Sequence, residues 1–284
     1  MGCNLSMNSI LFNHCDPIDF LQGATGKGIR VAVVDSGVDS QHPDLVGRVK
    51  GGIVLESVNG QLTKKPYDGC DVAGHGTGCA GIIARLAPEA DIYSVRVLTC
   101  TGVGSDGSRY AGGMPRDMIE GINWAIENCQ IVNISNGLEV TEGTRSQYFR
   151  QYHELIEKAY YQNCLLIAAG ENAGRPSYPS IFSNLIKVYW GAFDNPLHFL
   201  YQLKPRSLTE FVAHGDYVRI PQPGGGYVQQ SGSSFAAPHL SAICALLLSK
   251  YPQLKSFEVK TILYAMAEKT QSSDATVMPA YCAT

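Results

Sequence analysis

Three short segments of this chain carry residue types that could do covalent chemistry together. The first is Asp35-Ser-Gly-Val-Asp, followed by His42-Pro-Asp-Leu. The second is Gly74-His-Gly-Thr-Gly-Cys-Ala-Gly, and the third is Gly232-Ser-Ser-Phe-Ala-Ala-Pro-His. A serine hydroxyl is a weak nucleophile at neutral pH and needs a base to take its proton. An imidazole titrates near physiological pH and suits that task. A carboxylate behind the ring holds the right tautomer and stabilises the imidazolium that forms. Singly, each residue has a plainer reading: a turn aspartate, a loop histidine among glycines, a helix-capping serine. Taken together as Asp35, His75 and Ser234, in that order, they point to acyl transfer.

Such residues must be held by strands and helices, and the pattern around them supplies both. The β-branched run over 28–34 reads as a buried strand ending at Asp35. The small, apolar stretch 76–86 reads as a helix stopped by Pro88. Further strands are expected over 91–98, 130–134, 164–169 and 185–193. Further helices are expected over 115–129, 144–162, 234–251 and 256–268, with Gly- and Ser-rich 99–113 as a loop. Strands alternating with helices predict a three-layer α/β/α fold with a mostly parallel central sheet. In such sheets ligands bind beyond the carboxyl ends of the strands, where the three segments fall. Gly74, Gly76 and Gly232 would give a substrate chain room to approach. Pro238 suits the first turn of its helix. No internal repeat or long linker appears. Residues 1–27 read as an N-terminal extension, 28–269 as one catalytic domain and 270–284 as an aperiodic tail.

The three motifs resemble the aspartate, histidine and serine motifs of the subtilisin-like serine peptidases, the subtilases. The serine motif there usually reads Gly-Thr-Ser-Met-Ala-x-Pro. The similarity runs from about residue 28 to about residue 269. It implies a subtilisin-like α/β fold and a serine endopeptidase that forms an acyl-enzyme on Ser234. His75 would be the general base and acid, with Asp35 orienting it. Ser233 is the rival nucleophile, but Ser234 has the family's spacing after the glycine. The family also supplies an oxyanion donor from an Asn after Ala-Ala-Gly. Here the chain reads Ala168-Ala-Gly-Glu171-Asn172-Ala-Gly. Either one residue is inserted and Asn172 is the donor, or Glu171 occupies its place and would repel an oxyanion. The following Gly174-Arg-Pro-Ser-Tyr-Pro fits the insertion, so Asn172 is the candidate.

The resemblance further implies that a peptide substrate pairs as a strand between two edge segments. The matching pieces are Gly102-Val103-Gly104 and Ser135-Asn136-Gly137. Asn136 stands where the family usually has Leu, which would make that wall more polar. Gly78 replaces a second histidine that often follows the Gly-His-Gly-Thr motif. Cys79, close behind His75, would confer sensitivity to thiol reagents or else serve only in packing. Structural calcium sites are common in the family, but no ligand set is identifiable in this sequence. No cofactor and no metal ligand are assigned. Two other outcomes stay open: a macrocyclase or transamidase that resolves the acyl-enzyme with an amine, and a catalytically weak peptide-binding relative. The first normally needs an element that shields the intermediate from water, for which the helix over 144–162 is a candidate.

Bulk composition fits this picture. Of 284 residues, 45% are hydrophobic and 17% charged, as in ordinary globular proteins. A formal net charge of −3 offers no electrostatic case for nucleic acid or an anionic membrane. No apolar run approaches the roughly 18 residues that a spanning helix requires. The expected partner is a peptide or protein substrate, with a dedicated processing protease as the role expected. Nine cysteines occur, with no CxxC pair and no zinc spacing. With no signal-peptide pattern, they read as reduced thiols of an intracellular, cytoplasmic protein. Met1-Gly-Cys-Asn-Leu-Ser matches the N-myristoylation pattern, which also arises by chance. Secreted subtilases carry an N-terminal chaperone pro-segment. The 27 residues before the first strand are too few for one, so it was removed or folding proceeds without it.

Overall fold

β-Branched residues crowd a helix but pack well on a pleated, buried surface. In the computed structural model, which describes residues 16–103, 109–202 and 210–269, the first such run forms β1 (Arg30–Asp35). It buries every residue but Arg30. Val31 and Val33 face one core cluster, while Ala32 and Val34 face the other. A strand buried on both faces needs cover on both sides, and the rest of the chain supplies it.

The remaining strands are β2 (Val49–Val58), β3 (Gln61–Pro66), β4 (Asp91–Arg96), β5 (Cys100–Val103), β6 (Arg109–Gly112), β7 (Ile131–Ile134) and β8 (Leu138–Glu139). They continue as β9 (Leu165–Ala169), β10 (Ser177–Tyr178), β11 (Ile186–Gly191), β12 (Phe199–Tyr201), β13 (Phe211–His214), β14 (Val218–Pro221), β15 (Tyr227–Gln230) and β16 (Glu268–Lys269). The helices are α1 (Pro17–Phe20), α2 (His75–Leu86), α3 (Pro115–Asn128), α4 (Glu142–Tyr161), α5 (Ser233–Lys250) and α6 (Ser256–Met266). The main sheet runs β16-β12-β13-β11-β9-β7-β1-β4-β2-β3. From β13 to β2 each neighbouring pair is parallel, and β12 and β3 run antiparallel to β13 and β2. Helices α2, α5 and α6 cover one face through Ile83, Leu240 and Leu263. Helices α3 and α4 cover the other through Ile122 and Tyr152. This is the expected three-layer α/β/α architecture.

Register brings three strand ends to one edge. Val34 of β1 lies opposite Ile134 of β7, and Ile134 opposite Ala168 of β9. Asp35, Ser135 and Ala169 therefore come next side by side, with Gly170 one residue beyond. The fold departs from expectation in several segments. Residues 99–113, read as a loop, contain the β5–β6 hairpin. The β2–β3 and β14–β15 hairpins carried no legible alternation, because their strands are polar, exposed or interrupted by Gly51 and Gly52. Helix α4 buries Tyr152, Leu155 and Ile156 against the sheet as a layer helix. Within 16–27, Phe20 and Leu21 are buried in the α2–α5 side of the core. Residues 1–15, with the acylation pattern, and 270–284 lie outside the described residues, as does Gly104. No described helix is long and apolar enough to cross a membrane. Cys70, Cys79, Cys129, Cys164 and Cys244 are free thiols, all buried except Cys70.

Candidate active site

The site grows from Asp35, wholly buried at the end of β1. His75, the first residue of α2, places Nδ1 2.8 Å from Asp35 Oδ1 and 2.9 Å from Oδ2. Ser36 N donates to Asp35 Oδ1 at 2.7 Å, which fixes the carboxylate. Gly76 explains how strand end and helix start come so close: a Cβ there would stand 2.1 Å from Gly37 O. The room it leaves is for the chain's own backbone, not for substrate. The imidazole is pulled two ways. Burial favours the neutral ring, but the Asp35 charge and hydrogen bond, with Asp71 behind, hold its pKa above the ordinary value of 6.5.

Ser234 lies at the start of α5. It is the one half-exposed residue in an otherwise buried run from Ser233 to Leu248. Its Oγ donates to Ser135 O at 3.0 Å and makes no hydrogen bond to His75. Catalytic hydrogen bonds are often formed only once substrate is bound, and χ1 rotation releases the hydroxyl from this acceptor. The neighbouring Phe235 ring packs 5.3 Å from that of His75. Cys79 Sγ lies 3.4 Å from Ser234 O and 3.9 Å from Asp35 Oδ2, so it spans the two segments. Burial raises the Cys79 thiol well above its usual pKa, the condition of an inert packing residue. Ser233, the rival nucleophile, is buried and committed. Its hydroxyl sits between Gly170 O and Asn172 Oδ1, and its N–H donates to Asn172 Oδ1 at 3.0 Å.

Pro238 corrects a sequence expectation. Helix α5 begins at Ser233, so Pro238 lies beyond the first turn. Its missing N–H would have bonded the carbonyl four residues back, that of Ser234. That carbonyl instead accepts from Ser135 Oγ at 2.8 Å and from Cys79 Sγ.

Hydrogen bonding places Glu171 and Asn172 differently. Glu171 folds back, its Oε2 accepting from Ala173 N and Arg175 N at 3.0 Å each. Asn172 instead turns toward the start of α5. Because Ser233 N–H can only donate, the amide oxygen faces it and the NH2 faces away. A Cβ on Gly232 would stand 3.5 Å from that Nδ2, which has no partner among the described residues. A cavity of about 320 Å³ opens here, lined by Ser234, Asn172, Ser135, Asn136 and Gly137 together with Glu139 and Arg175. No residue of α4 lines it, so the expected shielding role for that helix has no support. The polar wall expected from Asn136 is also corrected: Nδ2 donates inward to Val34 O at 2.7 Å, and Oδ1 is buried without a partner. The polarity comes instead from Glu139 and Arg175, which the sequence reading passed over. Gly102 and Val103 lie on β5, and Gly102 is not among the described residues that line the cavity.

Asp71 was also passed over. Its carboxylate accepts from Ser36 Oγ, Ala73 N, Gly74 N, Thr77 N and Thr77 Oγ1 at 2.6–3.0 Å. It thereby ties the residue after Asp35 to the helix start that carries His75. An aspartate four residues ahead of His75, where Gly74 offers no side-chain cap, was the available signal. Among the described residues, three side chains of metal-ligating type converge only at Asp35, His75 and Cys79.

Comparison with known proteins agrees with this architecture. Subtilisin E of Bacillus subtilis (strain 168) is 33% identical over 262 residues, spanning 87% of this chain and 62% of its own length. Subtilisin of Bacillus pumilus is 32% identical over 268 residues, spanning 89% of this chain and 88% of its own. The chain thus spans less than two thirds of the first relative's length and most of the second's. Among solved structures, a cold adapted subtilisin-like serine proteinase superposes with a TM-score of 0.67 at 23% identity, covering 89% of this chain and 86% of its own. A lanthipeptide protease gives 0.67 at 22% identity, covering 87% and 81%. The subtilase family profile matches residues 26–278, and the chain belongs to that family.

Proposed function

We propose that the chain is a serine endopeptidase acting through an acyl-enzyme. Ser234 Oγ attacks the scissile carbonyl as His75 Nε2 takes its proton. Asp35 holds the ring by Nδ1 and stabilises the imidazolium. His75 then returns the proton to the leaving amine, and water, activated by the same ring, hydrolyses the ester. The developing oxyanion is met by Asn172 Nδ2 and by backbone N–H groups at the start of α5. The carrying observation is the buried Asp35 carboxylate 2.8 Å from His75, beside a cavity lined by both Ser234 and Asn172. A cavity so poor in apolar side chains supports selective cleavage, as in peptide processing, over general degradation.

The test is labelling by a fluorophosphonate probe, with mass spectrometry of peptide products. Labelling and cleavage that both vanish in Ser234→Ala are expected. Absence of labelling in the wild-type protein would reassign it as a binding relative. Cyclic products one water lighter than substrate would reassign it as a transamidase.

A further inference from the structure

We propose that the cavity beside Ser234 selects a lysine or arginine on the residue whose carbonyl is attacked, and that Glu139 is the selecting residue. The inference rests on the peptidase reading above. In the acyl-enzyme, the carbonyl carbon is bonded to Ser234 Oγ and its oxygen points toward Asn172 Nδ2. The side chain of that acyl residue leaves from the adjacent carbon, into the space that Ser234 and Asn172 both line.

The lining dictates what fits there. Among the described residues that line it, the only apolar side chain is the methyl of Ala169, and the charged groups are Glu139, Glu171 and Arg175. Arg175 Nη1 pairs with Glu139 Oε2 at 3.0 Å, and Nη2 with Glu171 Oε1 at 3.4 Å. Two carboxylates therefore share one guanidinium. Glu171 is further satisfied by the two backbone N–H groups of its turn. The second oxygen of Glu139, Oε1, has no partner among the described residues, and this side chain is 47% exposed. An aliphatic or aromatic acyl side chain would strip water from the Glu139–Arg175 pair and return no hydrogen bond. An acidic one would set three carboxylates against one guanidinium. A cation donates to Glu139 Oε1 and balances two negative charges with two positive.

The experiment is a peptide library varied at the acyl residue, cleaved by the wild-type protein, Glu139→Gln and Arg175→Gln. The wild-type protein should cut after Lys or Arg with kcat/KM about tenfold or more above that after Leu or Phe, the discrimination of one charge-assisted hydrogen bond. Glu139→Gln should erase most of that ratio while leaving cleavage after neutral residues in place. Arg175→Gln should raise the ratio, because it removes the competing cation, whereas mere damage to the rim would lower it. Preferred cleavage after apolar residues, or a ratio indifferent to Glu139→Gln, overturns the proposal. Absence of both cleavage and probe labelling overturns the peptidase reading itself, and the proposal with it.

Discussion

The substitution Asn172→Asp separates the chemical role of this residue from its structural one. Asn172 Oδ1 accepts from Ser233 N at 3.0 Å and from Ser233 Oγ at 2.8 Å. An aspartate keeps one oxygen for both contacts, so the start of α5 stays anchored. It puts a second oxygen where the NH2 had been, facing the developing charge. Losing a single oxyanion donor costs about 10²–10³ in turnover, the range established for this family's own donor, or roughly 2.7–4 kcal/mol. A carboxylate in its place adds repulsion, so kcat should fall by at least about 10³. KM should barely move, since the donor acts where charge appears only in the transition state. The melting temperature should change by less than about 3 °C, as expected for a perturbation under about 1 kcal/mol in a domain of this size. Glu171→Gln is the control. Its side chain caps a turn and keeps an acceptor, so kcat should stay within about threefold on a substrate with a neutral acyl residue. Steady-state kinetics with calorimetry on both variants decides the matter. Asn172→Asp within tenfold of the wild-type kcat, or a large loss in Glu171→Gln alone, refutes the assignment of the donor.

Two further predictions concern histidines. His75 must be neutral to act as base, and its pKa lies above 6.5, so kcat/KM should fall on the acid side with a midpoint above that pH. Asp71→Asn removes one of the charges that raise it; the midpoint should move to lower pH and kcat should drop, and an unmoved midpoint in pH–rate profiles would be fatal to this account. By the same raised value, the Asp35–His75 pair contributes stability that is fully present below about pH 6.5 and is lost as pH rises through the folded pKa. His239 behaves oppositely. Burial pushes it down to about 3, helped by His214 and Arg85 and opposed by its hydrogen bond to Phe235 O, and its Nε2 is buried without a partner. Its contribution is present above about pH 6.5 and lost as pH falls toward 3. Thermal unfolding of His239→Met should therefore flatten the loss between pH 6.5 and 4.5 by on the order of 2 kcal/mol; curves parallel to wild type would exclude His239 as the cause.

What could be read from the sequence was what depends on residue type and local order. Asp35, His75 and Ser234 are legible as candidates because their motifs sit at strand ends and helix starts, and period-2 and period-3.6 patterns place those elements. What escaped depends on who donates to whom. Asp71 looked like any loop carboxylate, since its five donors come from residues 36, 73, 74 and 77 and meet only in the fold. Asn136 was read as a cavity wall because its place in the motif was visible, but the open carbonyl at the end of β1 that captures its amide was not. Pro238 suits a first turn by residue type, but α5 already starts at Ser233, which puts it in the second turn. The exposed strands β3 and β15 bury no regular face, so no alternation advertised them.

The displaced position of Pro238 bears on how Ser234 is held. Helix α5 is buried over nearly its whole length, so its start is fixed by contacts within the core. The carbonyl that Pro238 leaves free becomes the end of a buried polar chain. Ser241 Oγ, two turns into α5, donates to Asn133 Oδ1 on β7 at 3.0 Å. Asn133 Nδ2 donates to Ser135 Oγ at 2.9 Å, and Ser135 Oγ donates to Ser234 O at 2.8 Å. The single proton of Ser241 Oγ is shared between Asn133 Oδ1 and Ala237 O, the latter at 2.9 Å, while the Asn133 amide and the Ser135 hydroxyl each donate onward toward Ser234 O. This polar chain fastens α5 to β7 at two points, one deep in the core and one at the reacting residue. Asn133 would otherwise be an unaccountable polar residue in a four-residue strand buried throughout. It is there because an apolar side chain could fill that space but could not transmit a position from the middle of the helix to the strand end. The place of Ser234 is thus set by the sheet edge, the same edge that presents Asp35, and not by the helical ladder that Pro238 interrupts.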